Sequence, residues 1–320
     1  MNTQKSKSYN VGSVVLATQQ GLGYLAKSFF DAGIIDKVLI HEHSTRTNHR
    51  NWYPRESVVS TQEELLDQCD TLLFFEEVWD WKIIVKARER GIKTVLMPMY
   101  ECTRSPLPYF PDLILSPSKL DQQYYPGSTL VTIPVEVPWK LRTKAEAFVH
   151  NAGNGGLGGR NGTRELLEAM QYVKSPLKLI VRSQVPIPTV NDPRIEYRIG
   201  QFDDIWSEGD VFVWPEKFNG LSLPAQEAYA SGMLVMASKR FPNTEYLLND
   251  PLIPVSGYKK EKLAVEFDSA ILKPEDIART MDFWHGRDIT SYSLAGKVWG
   301  ENNSWNKLKG IYEELLLPNV

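Results

Sequence analysis

Cysteine is scarce in this 320-residue chain: there are two, Cys69 and Cys102, and they form no CxxC pair. Two such residues cannot build a disulfide framework or a cysteine-ligated metal site, so a reducing, cytosolic setting is expected. Long apolar runs are missing as well. No stretch approaches the roughly 20 residues that span a bilayer. The polar start, Met1 to Lys7, leads into a short run from Val11 to Ala17 that reads as a first β-strand rather than a signal peptide. An excess of one charge is the third absence. Lys and Arg number 36 against 39 Asp and Glu, a net charge of −3, and neither half of the chain is biased. A surface that binds polyanions indiscriminately is thereby excluded, and any anion site must be local. Tandem repeats and low-complexity segments are absent too.

The composition that remains is globular, with 42% hydrophobic residues, enough for substantial cores. At roughly 100–200 residues per domain the length fits two domains. A strand at Val14 to Ala17 runs into Gln19-Gln20-Gly21-Leu22-Gly23. Apolar residues at 22, 25, 26, 29 and 30 then give a helix that stops at Gly33. Short apolar runs recur at 38–40, 71–75, 94–97 and 113–115. The same alternation restarts after the Pro-containing stretch 133–139, at 148–150, 179–181, 211–214 and 234–237. Such alternation predicts parallel strands with crossover helices, hence an α/β chain of two doubly wound domains.

The densest motif is Gly153-Asn154-Gly155-Gly156-Leu157-Gly158-Gly159-Arg160-Asn161-Gly162, between a strand and a helix expected over Thr163 to Tyr172. Glycines let backbone N–H groups close on an oxygen-rich anion, the helix start adds its positive end, and Arg160 adds a permanent charge. A diphosphate suits that arrangement. Read as GxGxxG, residues 153–158 also match a dinucleotide fingerprint, which needs an acidic residue about 20 positions on to hold a ribose. Lys174 to Gln184 contains none and offers Arg182 instead, so the nicotinamide-cofactor reading loses its second support. A plain glycine turn without a ligand is the bland alternative.

The second motif runs from Trp214-Pro215-Glu216-Lys217-Phe218-Asn219-Gly220-Leu221-Ser222-Leu223-Pro224 through Glu227 to Gly232. It predicts a strand end, a loop, and a short helix with Pro224 in its first turn and Gly232 past its end. Glu227 lies early in that helix, where the dipole favours a carboxylate that can accept both hydroxyls of a ribose.

With Pro215, Gly220, Leu221, Leu223, Pro224, Glu227, Ala228 and Gly232 in place, this segment resembles the retaining glycosyltransferases of family 4. Their signature reads Pro-x-x-x-Glu-Gly-x-Gly-Leu-Pro-x-x-Glu-Ala, and Asn219 stands here where the family has its first Glu. The resemblance extends to Gly21-Leu22-Gly23, similar to an acceptor-side glycine loop, to Ile133-Pro134, to Glu245, and to a closing helix after Ser304-Trp305. It implies a GT-B fold of two Rossmann-like domains facing a cleft: 1–140 on the acceptor side, 141–300 binding the nucleotide-sugar, and 301–320 crossing back. It further implies hexosyl or pentosyl transfer from a nucleotide-diphosphate sugar to a hydroxyl, with retention of configuration and without metal or other cofactor. The implied donor site comprises Gly21, Gly23, Gly158, Gly159, Arg160, Asn161 (in place of the usual Lys), Arg182, Asn219, Gly220, Leu221, Ser222 and Glu227.

Candidates on the acceptor side come from strand ends and loops. Glu76 and Glu77 follow the run 72–75, and Glu101 follows Tyr100; each is a candidate catalytic or acceptor-orienting carboxylate. Arg46, Arg50, Trp52, Tyr53 and Arg55 interleave basic and aromatic side chains, as suits an acceptor with phosphates and flat rings. The expected acceptor is a saccharide or a lipid-linked glycan, and a hydroxymethylated pyrimidine in DNA is the alternative. A non-catalytic nucleotide-sugar-binding protein is the reading of a different class. His41-Glu42-His43 lacks the helical spacing of a metal site. Trp79-Asp80-Trp81, followed by Lys82, Lys86, Arg88 and Arg90, predicts a crossover helix, with contact to an anionic membrane surface as its alternative.

Overall fold

The computed structural model describes residues 7–42, 47–154, 159–200, 202, 204–247 and 251–319. Two units divide the chain: Met1–Ile133 with Leu263–Val265 and Trp305–Val320, and Pro134–Lys262 with Glu266–Ser304.

In the first unit the order is β1 (Val11–Val15), α1 (Gly21–Asp31), β2 (Lys37–Ile40), β3 (Val58–Val59), α2 (Gln62–Gln68), β4 (Thr71–Glu76), α3 (Lys82–Glu89), β5 (Lys93–Pro98), β6 (Leu113–Ser116), α4 (Lys119–Tyr124) and β7 (Thr129–Leu130). The strands form one parallel sheet ordered β3-β2-β1-β4-β5-β6-β7. Strand order reverses between β1 and β4, which leaves a crevice at their C-terminal ends. β1 takes in Gly12 and Ser13, which interrupt the apolar run, and ends at Val15, two residues short of Ala17. A Cβ on Gly12 would lie 2.6 Å from the Cys69 sulfur and 2.8 Å from a Leu65 methyl carbon, so glycine is what lets those side chains close on the strand. Ser13 is buried and donates its hydroxyl to the Leu73 carbonyl at 2.6 Å.

In the second unit β8 (Ala147–Gly153), α5 (Thr163–Ala169), β9 (Lys178–Ser183), β10 (Ile195–Ile199), β11 (Val211–Trp214), α6 (Leu223–Ala230) and β12 (Leu234–Ala237) come first. The hairpin β13 (Gly257–Lys262) and β14 (Glu266–Ile271) and the helices α7 (Pro274–Trp284) and α8 (Thr290–Asn302) follow. The parallel sheet is ordered β10-β9-β8-β11-β12, with its reversal between β8 and β11. Alternate residues of each strand face opposite sides. Phe148, Val181, Val213 and Met236 pack with Leu166, Met170, Ile277 and Met281. Val149, Ile180, Phe212 and Trp214 pack on the other side with Ala225, Ala228 and Tyr229. α5 ends at Ala169 and not at Tyr172: Met170 and Tyr172 donate to carbonyls three residues back, closing turns instead of helix.

The last helix, α9 (Trp305–Leu315), belongs to the first unit. Fully buried Phe29 receives Phe75, Trp305 and Tyr312 edge-on, with ring centroids at 5.0, 4.7 and 4.9 Å. α3 packs as a crossover helix: Ile83, Ile84 and Ala87 are buried, Lys86 pairs with Glu63, and Arg90 pairs with Glu63 and Asp67. Those acidic partners neutralise two of the four basic residues on which contact with an anionic surface would rest. Among the described residues no helix is long and apolar enough to cross a membrane.

Candidate functional site

In the second unit the two sequence motifs meet. After β8 the residues 155–158, and with them Gly158, lie outside the described set. The chain resumes at Gly159, half-buried Arg160, Asn161 and Gly162, and enters α5. Gly159 and Gly162 both have left-handed backbones, φ +68° and +69°. A Cβ on Gly162 would fall 1.9 Å from the Pro215 carbonyl oxygen, so the glycine-rich segment touches the loop after β11 as only glycine permits. The Lys217 amide donates to the Arg160 carbonyl at 2.7 Å and fixes the same contact.

That contact also brings up a side chain the sequence reading passed over. The Lys217 ammonium lies 3.3 Å from a Glu165 carboxylate oxygen and 3.6 Å from the place a Cβ on Gly159 would occupy. Lys217 is therefore a second cation at the glycine-rich segment, beside Arg160. Its only signal in the sequence is its place in the second motif.

Three expected donor residues are turned inward. Asn161 is buried and donates its amide to the Ala152 carbonyl at 3.1 Å, closing the end of β8. Arg182 is 3% exposed and gives its guanidinium to the Ile205 carbonyl at 2.6 Å and the Glu208 carboxylate at 3.1 Å. Reaching a phosphate would cost it those partners. Asn219 folds back on its own loop: its carbonyl oxygen accepts from the amides of Leu221 at 3.1 Å and Ser222 at 2.8 Å. Its side chain is an Asx-type turn, a short-range bond open to Asn but too short for Glu to make in the same way.

Gly220, Leu221 and Ser222 are buried in this loop, and Ser222 has φ +54°. A non-glycine residue there costs roughly 1–3 kcal/mol and persists only when its surroundings fix it. They do so through a buried network. The Trp214 indole donates to Ser222 Oγ at 3.2 Å and to Glu216 at 2.8 Å, and Glu216 lies 3.4 Å from the Arg240 guanidinium. Glu216 is fully buried, which raises its carboxyl above the usual range while Arg240 opposes the rise. Arg240 carried no sequence signal, because 24 residues separate it from Glu216.

Glu227 is the fifth residue of α6, beyond the reach of the helix start that was expected to lower its pKa. Burial wins instead, and pushes the carboxyl from 4.5 up to about 7, against a hydrogen bond from Trp206. On the opposite face of the sheet His150 is fully buried. One ring nitrogen lies 2.8 Å from the Val213 carbonyl and the other 2.8 Å from the Thr163 hydroxyl at the start of α5. Desolvation lowers its pKa to about 4, so the ring is neutral and ties β8, β11 and α5 together.

In the first unit the glycine turn follows β1, Glu76 and Glu77 stand at and just past the end of β4, and Glu101 lies after β5. A Cβ on Gly23 would meet the Thr18 carbonyl oxygen at 2.0 Å, whereas Gly21 faces open space. Glu76 ends β4 with φ +61°; Glu76 and Ser222 are the two non-glycine residues with positive φ among the described residues. Glu76 is the last residue of β4 and Ser222 lies in the loop after β11, each strand being next to its sheet's reversal point. The Thr103 hydroxyl donates to the Glu76 carbonyl and accepts from the Met99 amide at 2.9 Å, joining the loops after β4 and β5. Glu77 accepts from the Trp81 indole at 2.8 Å and lies 3.4 Å from Arg104. Glu101 is 2% exposed. The pKa of Tyr125 is raised, chiefly by burial and further by the charges of Asp121, Glu77 and Glu101. Among the described residues no group of three or more His, Cys, Asp or Glu is arranged to hold a metal.

The aromatic and basic loop is mostly committed to packing. Arg46 lies outside the described residues, as does His43. Arg50 pairs with Glu42, and Trp52 stacks on His49 at 5.2 Å and meets Tyr24 at a tilt at 5.3 Å. Tyr53 does not reach solvent: it is 3% exposed and meets Phe30 edge-on at 5.0 Å. Arg55 is exposed.

No protein-family model and no curated protein matches the chain. Solved structures do. Anabaena HepE, determined with UDP-glucose, shares 12% identity over 96% of this chain and 99% of its own, with a TM-score of 0.63. A glycosyltransferase from Rickettsia africae gives 12% identity, 97% and 99% coverage and a TM-score of 0.64. Sucrose-phosphate synthase from Thermosynechococcus elongatus gives 12%, 96%, 99% and 0.60. Over nearly its whole length the chain thus has the GT-B fold, built of two Rossmann-like units.

Proposed function

We propose that the chain is a glycosyltransferase of the family 4 type, moving a hexosyl or pentosyl group from a nucleotide-diphosphate sugar to an acceptor hydroxyl. The observation that carries this is the junction of the glycine-rich segment with the loop after β11, which gathers Gly159, Arg160 and Lys217 at the reversal point of the second sheet. Crevices at such points are where open α/β sheets bind ligands. Backbone N–H groups and the two cations suit a diphosphate and stabilise it as it leaves. Glu227 suits a ribose diol, whose hydroxyls donate to the ionised carboxylate. HepE, similar in fold, was solved with UDP and with UDP-glucose, which makes a uridine diphosphate sugar the first donor to try.

In this proposal the diphosphate is held by fixed protein charge without metal, and configuration is retained. Glu76 orients the acceptor from the end of β4. A saccharide or lipid-linked glycan is the acceptor. A DNA acceptor draws less support, since Arg50 is paired and Tyr53 is buried. A cytosolic setting belongs to the same reading and agrees with two cysteines that form no disulfide.

The test is a thermal-shift screen against UDP-, GDP-, ADP- and TDP-sugars in EDTA, since a ligand bound by the native state raises the melting temperature. A positive donor is then incubated with glycan acceptors, and the anomeric configuration of the product is read by NMR. A shift with one base and an α-linked product from an α-linked donor are expected.

A further inference from the structure

The first unit carries a cavity of about 270 Å³ at the C-terminal ends of β1, β2 and β4, bordered by Gln62 of α2 and Ile83 of α3. None of the candidate donor or acceptor residues above lines it. Its volume is just under the roughly 300–1,000 Å³ of sites for drug-sized ligands, room for one ring-sized group. The floor is apolar: Val14, Leu39, Phe74, Val78 and Ile83. One wall is aromatic and flat, His41 stacked on Trp79 with centroids 4.4 Å apart and planes within 5°. Trp79 is 38% exposed, a large apolar surface left open beside the cavity.

The rim decides the ligand. Among the described residues its charged side chains are the carboxylates of Glu42, paired with Arg50, and Asp80. Asp80 is held in place, accepting from Gln62 Nε2 at 3.2 Å and from the Lys82 amide at 3.1 Å. A phosphate would face the Asp80 carboxylate, while Arg50, the cation beside the rim, is already paired with Glu42. A purely apolar group would desolvate the rim without replacing its hydrogen bonds. A neutral sugar ring fits both surfaces: hydroxyls donate to the carboxylates, and the C–H face, positive at its hydrogens, lies against the π surface of the wall.

We propose that this cavity binds one neutral sugar residue of the acceptor. The word acceptor rests on the glycosyltransferase reading above; the binding of a neutral sugar does not. Saturation-transfer NMR with methyl glucosides, galactosides and mannosides on the full chain, with UDP titrated in parallel, tests it. At least one glycoside is expected to bind. Trp79→Ala and Asp80→Asn, both at exposed positions, are expected to weaken that binding tenfold or more and to leave UDP affinity unchanged. No glycoside binding to the wild-type chain, binding that both variants keep, or binding abolished equally by inorganic phosphate would each overturn the proposal. Glycoside binding without UDP binding would uphold the neutral-sugar site and count against the donor reading instead.

Discussion

Gly162 stands so close to Pro215 that a single added methyl group would come within 1.9 Å of the proline's carbonyl oxygen. The two motifs, far apart in sequence, are pressed together at this point. Gly162→Ala is therefore expected to destabilise the second unit by roughly 2–4 kcal/mol, combining backbone overlap with a φ of +69° that Ala resists. Urea unfolding followed by fluorescence would read this as a lower midpoint. An unchanged midpoint would mean that the contact is not made in solution.

Glu227 supplies a prediction in which stability and binding move in opposite directions. Its carboxyl rises from 4.5 in the unfolded chain to about 7 in the folded one. The folded state thus holds the proton more tightly, and stability is lost as pH rises from 4.5 through 7, by up to about 3 kcal/mol. Glu227→Gln removes that loss. The variant is expected to melt a few degrees above the wild-type chain at pH 8, to match it at pH 4, and to bind nucleotide at least tenfold more weakly at pH 8.

Arg160→Ala and Lys217→Ala are expected to weaken nucleotide diphosphates ten- to a hundredfold each, as loss of a charge-assisted bond worth about 1.5–3 kcal/mol requires. The free nucleoside should be bound as before. Titration calorimetry with UDP and uridine separates the two, and equal losses for both ligands would place the cations away from the phosphates.

Much of the fold is legible in the sequence. The apolar runs at 71–75, 148–150 and 211–214 became β4, β8 and β11 because strands covered on both faces carry few polar residues. The edges were not legible. β3 and β7 have two residues each, and β10, Ile195–Ile199, is half exposed and charged at Glu196 and Arg198. The hairpin of β13 and β14 is largely solvated, so Lys259 and Lys260 hid it. Within the candidate site, Gly159, Arg160 and Glu227 stand out by type and spacing. The inward turn of Asn161, Arg182 and Asn219 did not, because which polar group a short side chain satisfies depends on carbonyls and amides that only the fold brings near. The Glu216–Arg240 pair was hidden for the same reason.

His150 predicts acid sensitivity in the second unit. Its pKa falls from 6.5 in the unfolded chain to about 4 in the folded one, so the unfolded state takes up a proton first as pH drops. Stability is expected to fall progressively between pH 6.5 and 4, by up to about 3 kcal/mol. Replacing His150 by Asn should lower stability at pH 7 and flatten that slope, as shown by denaturant midpoints measured across the range.

The central claim is a nucleotide-diphosphate-sugar site built on Arg160, Lys217 and Glu227, and titration calorimetry in EDTA tests it most directly. UDP-glucose and its GDP, ADP and TDP counterparts are titrated into the wild-type chain and Glu227→Gln at pH 8. One base is expected to bind saturably at one site per chain and to lose at least tenfold in affinity in the variant. No binding by any of the four, or binding that Glu227→Gln leaves intact, would contradict the account.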